Sequence, residues 1–204
     1  MGRRPVTGPG ARRKLKLRLP RSSRQAIARF DDRVDTALDR VRGHPVPDRL
    51  FYAASELGDF SLIWLMLGAA RGLRSEHDWK AAVRVGGALG LESVLVNVII
   101  KSLFRRTRPP WEVDRPLRLR RPRTSSFPSG HATSAFTSAS LLSDDDPLWP
   151  LYYTLAVIVA TSRVYVKIHH ASDVVGGMLI GMALGRLARR VAPLTRESPN
   201  PSEP

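Results

Sequence analysis

The sequence predicts an all-α protein, a multi-pass bundle of about five transmembrane helices preceded by an amphipathic helix. Three observations support this class. Five apolar segments follow one another with short polar connections, two of them contain uncharged runs of 18 and 16 residues, and three glycines recur at intervals of four in the last. About 20 apolar residues are needed to cross a bilayer, so any one segment could equally be a buried helix of a soluble protein. Five in succession favour a membrane bundle.

The composition limits the chemistry and indicates an anionic partner. The chain of 204 residues is long enough for one domain with a core, and it contains no cysteine. Disulfides, thiolate metal sites and cysteine nucleophiles are therefore excluded. The net charge of +15 calls for nucleic acid, lipid headgroups or a phosphorylated substrate. The mean hydropathy of -0.19 averages over basic stretches at 1–50 and 105–123 and apolar runs with almost no charge.

The first 50 residues divide into an arm and a helix. Residues 1–21 predict a disordered basic arm, because glycine, proline and like charges prevent a packed core. Residues 22–43 predict an amphipathic interfacial helix, although such a helix can equally pack on its own protein. Its apolar positions are Ile27, Phe30, Val34, Leu38 and Val41. Gly43 and Pro45 end it. Residues 192–204 are predicted to form a disordered tail.

The five apolar segments together predict a membrane domain over residues 50–191. They span 50–70, 82–104, 125–142, 147–163 and 172–191. Gly177, Gly181 and Gly185 give the fifth segment a flat face that another helix can approach closely. Glu92 lies inside the second segment, where a lone carboxylate is costly, and we expect it to make a structural hydrogen bond.

Three polar passages lie at the ends of these segments. The stretch "KSLFRRTRPPW" closes the second segment, "FPSGHATSAF" begins the third, and "SRVYVKIHHASDVVGG" joins the fourth to the fifth. Counting the crossings places all three on one side of the membrane. In the last passage His169 and Asp173 are four residues apart, so on a helix they share one face and the carboxylate can reach the ring.

The side chains of these passages suit a tetrahedral oxyanion. Three fixed cations join the amides of a Ser-Gly turn at a helix N-terminus. One histidine has a carboxylate to fix its tautomer, as a nucleophilic imidazole needs, and the other can protonate a leaving oxygen. No carboxylates or histidines lie at metal-ligand spacing, so we expect no metal and no other cofactor. The candidate residues are Lys101, Arg108, Ser129, Gly130, His131, Arg163, His169 and Asp173.

The order of these residues resembles the type 2 phosphatidic acid phosphatase (PAP2) superfamily. The family pattern is Lys-x6-Arg-Pro, then Pro-Ser-Gly-His, then Ser-Arg-x5-His-x3-Asp. Here it is filled at residues 101–109, 128–131 and 162–173. One such motif is weak evidence, whereas three in order over about 75 residues are specific. The Arg-rich and Ala-rich composition and the stretch "SRVYVKIHHASDV" resemble actinobacterial members of the family.

The resemblance implies a metal-independent membrane phosphatase that forms a phosphohistidine. In that reading His169 is the nucleophile, Asp173 orients it, and His131 protonates the leaving group before water hydrolyses the intermediate. The residues implied to hold the phosphoryl oxygens are Lys101, Arg108, Ser129, Gly130 and Arg163. Lys167 departs from the small residue common in the family and is expected to be an exposed charge, and His170 is expected to have no role in the site.

The substrate and two competing functions stay open at the level of sequence. The implied substrate is a lipid-linked phosphate monoester or diphosphate. Polyprenyl-linked phosphates of the decaprenylphosphoryl-5-phosphoribose or undecaprenyl diphosphate type rank before phosphatidic acid and phosphatidylglycerol phosphate. The vanadium haloperoxidases resemble the family at the same residues but are generally larger and soluble. A basic, membrane-associated anion-binding protein with an inactive site would explain residues 1–24 and leave the three motifs unused. The expected partners are a lipid phosphate and an anionic bilayer, without nucleic acid.

Charge counting predicts that the motifs face the cytoplasm in the cell membrane. The motif side holds the basic residues of 1–24 and 105–123. The opposite side holds fewer basic residues and an acidic "SDDD" turn at 143–146. The positive-inside rule therefore places the motifs inside, whereas family precedent among bacterial relatives favours the outer face.

Overall fold

The computed structural model describes residues 20–110, 119, 122 and 124–194, and within these residues it contains helices and no strand. We number seven helices in chain order. They are α1 Arg21–Asp39, α2 Pro45–Leu57, α3 Leu62–Gly72, α4 Glu76–Val94, α5 Gly130–Leu142, α6 Trp149–Tyr165 and α7 Ala171–Val191. Helix α4 continues through a π-helical turn, Leu95–Ile100, into a short helical segment, Lys101–Leu103. The predicted all-α bundle is confirmed.

Helix α5 lies at the centre of the bundle. Every residue from Ala132 to Leu142 is buried, and most of them are alanine, serine or threonine. Helix α7 packs directly on it through the predicted glycine face. A Cβ added at Gly181 would lie 2.4 Å from the carbonyl oxygen of Thr133, and one at Gly185 would lie 2.5 Å from the Cβ of Ser140. Only glycine permits this approach, so the predicted packing face is confirmed.

Among the described residues, two helices are long and apolar enough to cross a membrane. They are Glu76–Leu103, of 28 residues, and α7, of 21 residues. Helices α2 and α3 would together make a third span if the bent pair crosses as one. Helices α5 and α6 have 13 and 17 residues, which is short of the length a span requires. The figure of about five crossings therefore stays a prediction.

The first apolar segment, 50–70, differs from the single helix that was predicted. It is divided into α2 and α3, which are bent by 68° with respect to each other. Phe60 and Ser61 at the break have φ values of 55° and 59°, which no α-helix contains. Gly58 before the break packs against the ring of His131, where an added Cβ would lie 2.6 Å from Cδ2. The bend therefore brings the backbone of this segment to the start of α5.

Helix α1 begins one residue before the predicted 22–43 span and ends at Asp39. Its one buried residue is Asp31, whereas Phe30 is 42% exposed. The helix thus contacts the bundle through a carboxylate as well as through half-buried apolar side chains. The predicted basic arm and C-terminal tail fall almost entirely on residues outside the described part of the chain.

Candidate active site

All eight predicted site residues meet at one end of the bundle. Six of them line a cavity of about 670 Å³; these are Lys101, Arg108, Gly130, His131, Arg163 and His169. Ser129 is the N-cap of α5, and its hydroxyl accepts a hydrogen bond from the Ala132 amide at 3.5 Å. Asp173 lies fully buried in the first turn of α7, and its carbonyl accepts from the Ser129 amide at 3.1 Å. The starts of α5 and α7 are therefore fixed to each other at the site.

His169 presents Nε2 to the cationic wall of the cavity. Its Nε2 lies 3.1 Å from Nη1 of Arg108. A guanidinium can only donate, so Nε2 carries the lone pair, and the proton of the neutral ring is assigned to Nδ1. That nitrogen lies 3.7 Å from Oδ2 of Asp173, longer than a hydrogen bond. Burial lowers the pKa of His169 to about 3 against the opposing effect of Asp173, so the ring is neutral at neutral pH.

Three hydrogen-bond donors hold the carboxylate of Asp173. It accepts from the hydroxyl of Ser126 at 2.5 Å, from Nη1 of Arg106 at 2.7 Å and from the amide of His170 at 2.9 Å. The last bond forms a capping box at the start of α7. These partners fix the carboxylate in place beside Nδ1 of His169.

A second carboxylate, Asp31 of α1, supports this arrangement from outside the motifs. Nη2 of Arg106 donates to Asp31 at 2.6 Å. Asp31 also accepts from the amide of Ser172 at 2.7 Å and from its hydroxyl at 2.9 Å. Asp31 thus caps the N-terminal turn that contains Asp173 and anchors the guanidinium that contacts it. Sequence reasoning missed Asp31 and Arg106. Their side-chain partners lie between 66 and 141 residues away along the chain, so no local spacing indicates these contacts.

His131 has its own carboxylate, which the sequence did not reveal. Its Nε2 lies 3.1 Å from Oδ1 of Asp59 and 3.2 Å from the carbonyl of Ser55. Two acceptors at one nitrogen mean that Nε2 carries a proton. Ser55 belongs to α2 and Asp59 to the break after it, so the bend in this segment places a carboxylate beside His131. The site therefore contains two His–Asp pairs.

The three predicted cations are each positioned by polar neighbours. Nη1 of Arg108 donates to the carbonyl of Ile168 at 3.0 Å, and Nζ of Lys101 donates to the Asn97 side chain at 2.9 Å. Arg163 is 3% exposed and donates to the hydroxyl of Ser55, yet its buried Nε has no hydrogen-bond partner in the described part of the chain. A buried guanidinium nitrogen without an acceptor is costly, and an anionic oxygen would satisfy it.

Three further residues were singled out from the sequence. Lys167 was expected to be an exposed charge; instead its Nζ lies 3.6 Å from Asp35 and 3.4 Å from Asp39 of α1. His170 is the N-cap of α7, and its Nε2 lies 3.2 Å from the carbonyl of Thr107. Glu92 was expected to make a structural hydrogen bond. It is 5% exposed, but its Oε1 has no hydrogen-bond partner among the described residues. That expectation is wrong for this oxygen.

A helical membrane bundle with a cationic pocket around a histidine–aspartate pair defines a class of phosphate-transferring membrane enzymes. The family model of the PAP2 superfamily matches residues 81–196, and the chain belongs to that superfamily. It is 34% identical over 145 residues to decaprenylphosphoryl-5-phosphoribose phosphatase from Mycobacterium tuberculosis, covering 67% of this chain and 76% of the relative. It is 32% identical over 103 residues to an undecaprenyl-diphosphatase from Sulfolobus acidocaldarius, covering 48% and 50%. The chain is accordingly a membrane phosphatase.

Two solved structures share the fold. The transmembrane PAP2 type phosphatidylglycerolphosphate phosphatase from Bacillus subtilis has a TM-score of 0.63 at 23% identity, covering 84% of this chain and 87% of that one. LpxE from Aquifex aeolicus has a TM-score of 0.62 at 27% identity, covering 78% and 93%. Both likenesses extend beyond the three motifs, so most of the helical arrangement is shared. The predicted resemblance to the superfamily and the predicted membrane enzyme class are confirmed.

Proposed function

We propose that this phosphatase hydrolyses a terminal phosphate from a polyprenyl-linked lipid, without a metal ion, through a phosphohistidine at His169. The observation that carries this proposal is the contact between Nε2 of His169 and Arg108, 3.1 Å long, within a pocket of three cations. It aims a nucleophilic lone pair at the place where the cations attract a phosphoryl group. The names of the mycobacterial and archaeal relatives support a polyprenyl lipid.

The first half-reaction transfers the phosphoryl group to the histidine. Nε2 of His169 forms a bond to phosphorus while the bond from phosphorus to the leaving oxygen breaks. His131, which the anionic phosphate beside it keeps in the imidazolium form, gives a proton to that oxygen, and Asp59 at Nε2 stabilises the charged ring before transfer. The proton on Nδ1 of His169 faces Asp173, whose carboxylate stabilises the positive charge that develops on the ring.

The second half-reaction releases inorganic phosphate. Water attacks phosphorus, His131 accepts a proton from it, and the bond from phosphorus to Nε2 breaks. This restores the neutral His169 and the protonated His131, so atoms and charges balance over the cycle. In both steps Lys101, Arg108 and Arg163, with the N-terminus of α5 at Ser129 and Gly130, stabilise the charge on the phosphoryl oxygens.

The mouth of the site is proposed to face the cytoplasm in the cell membrane. Its support is the excess of lysine and arginine on the side of the motifs. A single cysteine introduced at Thr7 or at Ser143, labelled in intact cells with an impermeant reagent, tests this orientation. Labelling at position 143 with none at position 7 is expected. The reverse pattern would place the site on the outer face.

A phosphate-release assay tests the activity itself. The purified protein is given polyprenyl phosphates, polyprenyl diphosphates and polyprenylphosphoryl-5-phosphoribose beside phosphatidic acid and phosphatidylglycerol phosphate. We expect release from at least one polyprenyl substrate at a kcat/KM well above that for the glycerolipids. Release from the glycerolipids alone would overturn the substrate assignment. Anion binding without any release would instead favour a binding protein with an inactive site.

A further inference from the structure

The walls of the cavity change in chemistry with distance from His169. The cations and both histidines lie at one end. Gly86, Leu89 and Gly90 also line the cavity, about three to four helical turns before Lys101 on α4, together with Leu65 of α3. A Cβ added at Gly86 or Gly90 would meet nothing within 4 Å, so these glycines leave open space beside α4. An apolar chain suits this part of the cavity, as expected for the tail of a lipid.

The middle of the cavity is polar. Nζ of Lys101 donates to Asn97 at 2.9 Å, and the amide of Asn97 donates to the hydroxyl of Ser93 at 3.3 Å. Residues four apart lie on one helix face, so these three side chains form a ladder along α4 and its continuation. At a rise of 1.5 Å per residue the ladder extends about 12 Å from the cation at its outer end. Ser93 and Asn97 both line the cavity.

Glu92 lies at the inner end of this ladder and also lines the cavity. It is 5% exposed, and its Oε1 has no hydrogen-bond partner within the described ranges. A carboxylate oxygen in a membrane-spanning helix without a donor is expensive to maintain. A hydroxyl group of a molecule that enters the cavity would satisfy this oxygen. Hydroxyl groups fit, because they donate to a carboxylate and accept from the Asn97 amide.

We infer that the middle of the cavity binds the hydroxyl groups of a sugar that separates the scissile phosphate from the lipid, with Glu92 as their acceptor. This inference rests on the proposed function. A simple polyprenyl phosphate would place hydrocarbon against these polar side chains and leave Oε1 of Glu92 without a donor. The second phosphate of a diphosphate would meet the Glu92 carboxylate, which repels an anion. A phosphate carried on a sugar matches the cationic, polar and apolar regions in their order.

The test compares two substrates with the same polyprenyl chain, polyprenylphosphoryl-5-phosphoribose and polyprenyl phosphate. The quantity measured is the kcat/KM for the sugar substrate divided by the kcat/KM for polyprenyl phosphate. Glu92→Leu removes the acceptor, and we expect this ratio to fall at least tenfold because hydrolysis of the sugar substrate is weakened most. Glu92→Gln keeps an acceptor oxygen, and we expect a smaller fall. Glu56→Gln removes a carboxylate from an exposed position of α2 and is the control; its ratio should equal that of the wild type.

Each outcome decides between the two claims. A ratio that does not change in Glu92→Leu, or that changes equally in the control, overturns the sugar subsite and leaves the phosphatase proposal standing. Wild-type protein that hydrolyses polyprenyl phosphate but not the sugar substrate also overturns the sugar subsite and leaves the phosphatase proposal standing. Wild-type protein that hydrolyses neither of these substrates nor a polyprenyl diphosphate overturns the proposed function itself. If Glu92→Leu does not fold, the fall in the ratio for Glu92→Gln relative to Glu56→Gln decides the question.

Discussion

The guanidinium of Arg106 donates to the carboxylate of Asp173 at 2.7 Å, and its other terminal nitrogen donates to Asp31 at 2.6 Å. Asp173 in turn lies behind the ring of His169, which is the proposed nucleophile. Asp31 of α1, about 140 positions before Asp173, therefore helps to fix the position of that carboxylate. The matched family region begins at residue 81, so this support lies outside it.

Replacing Asp31 should slow chemistry more than it weakens binding. Asp31→Asn removes the charge that anchors Arg106 while Arg163, Arg108 and Lys101 keep the phosphate pocket intact. We expect kcat to fall by about tenfold or more, because small misplacements of a reacting group are costly. KM and the inhibition constant of inorganic phosphate should change little, since they report on the cations.

Asp32→Asn is the matched control for this prediction. Asp32 is the next residue of α1 and is exposed, so the substitution removes the same charge from the same helix. It should leave kcat unchanged. A loss of kcat equal to that of Asp31→Asn would show that the charge of α1 matters generally. A loss of phosphate binding in Asp31→Asn would show a structural effect on the pocket instead of a positioning role.

His131 should matter most when the leaving group is poor. His131→Ala removes the proposed proton donor, and we expect kcat for a lipid phosphate to fall by about 10²–10⁴-fold. A phosphate ester of an acidic phenol needs no proton at its leaving oxygen, so its phosphorylation of His169 should be slowed far less. Rapid-mixing measurement of phenol release checks this difference. Equal losses for both esters would contradict the assignment of His131 as the general acid.

Activity should not depend on a divalent metal, and vanadate should inhibit it. In the proposed mechanism lysine and arginine side chains neutralise the phosphoryl oxygens, and vanadate can take the pentacoordinate geometry of the transferring phosphoryl group. We expect full phosphate release in excess EDTA and competitive inhibition by vanadate. Activity that disappears in EDTA and returns on addition of magnesium would contradict the mechanism.

The buried His169 should make the protein less stable in acid. Its pKa is lowered from 6.5 to about 3 by burial, so between these values the unfolded chain binds a proton that the folded chain does not. The free energy of unfolding therefore falls as the pH drops below 6.5. We expect the unfolding temperature of the detergent-solubilised protein to fall between pH 7 and pH 5 more in the wild type than in His169→Asn. The same fall in both proteins would contradict a neutral, buried ring.

The sequence predicted that the motif residues lie together but did not reveal the residues that support them, for a physical reason. His169 and Asp173 share a helix turn, and Ser129 and Gly130 begin a helix, so local spacing already contains their relationship. Asp59 and Asp31 reach the site through the bend between α2 and α3 and through the docking of α1. Neither event has a local signal, because both depend on contacts between segments far apart in the chain.

The fold too was predicted where the sequence signal is local and missed where it is not. The glycine repeat of α7 predicted close packing correctly, since small residues at intervals of four permit it on any partner helix. Hydropathy alone did not predict the 68° bend in the first apolar segment, because the helices on both sides of it are together apolar enough for a single span. It also did not reveal that Glu92 would face a cavity instead of a structural donor.

The most direct test of the mechanism is to trap the phosphoryl-enzyme. The wild-type protein is mixed with a lipid substrate labelled in its terminal phosphate and quenched in alkali, in which phosphohistidine survives, and the labelled peptide is sequenced by mass spectrometry. We predict that the phosphoryl group is on His169, that His170→Ala is still labelled, and that His169→Ala shows neither label nor turnover. Label on His170 or on another residue, or normal turnover by His169→Ala, would contradict the account.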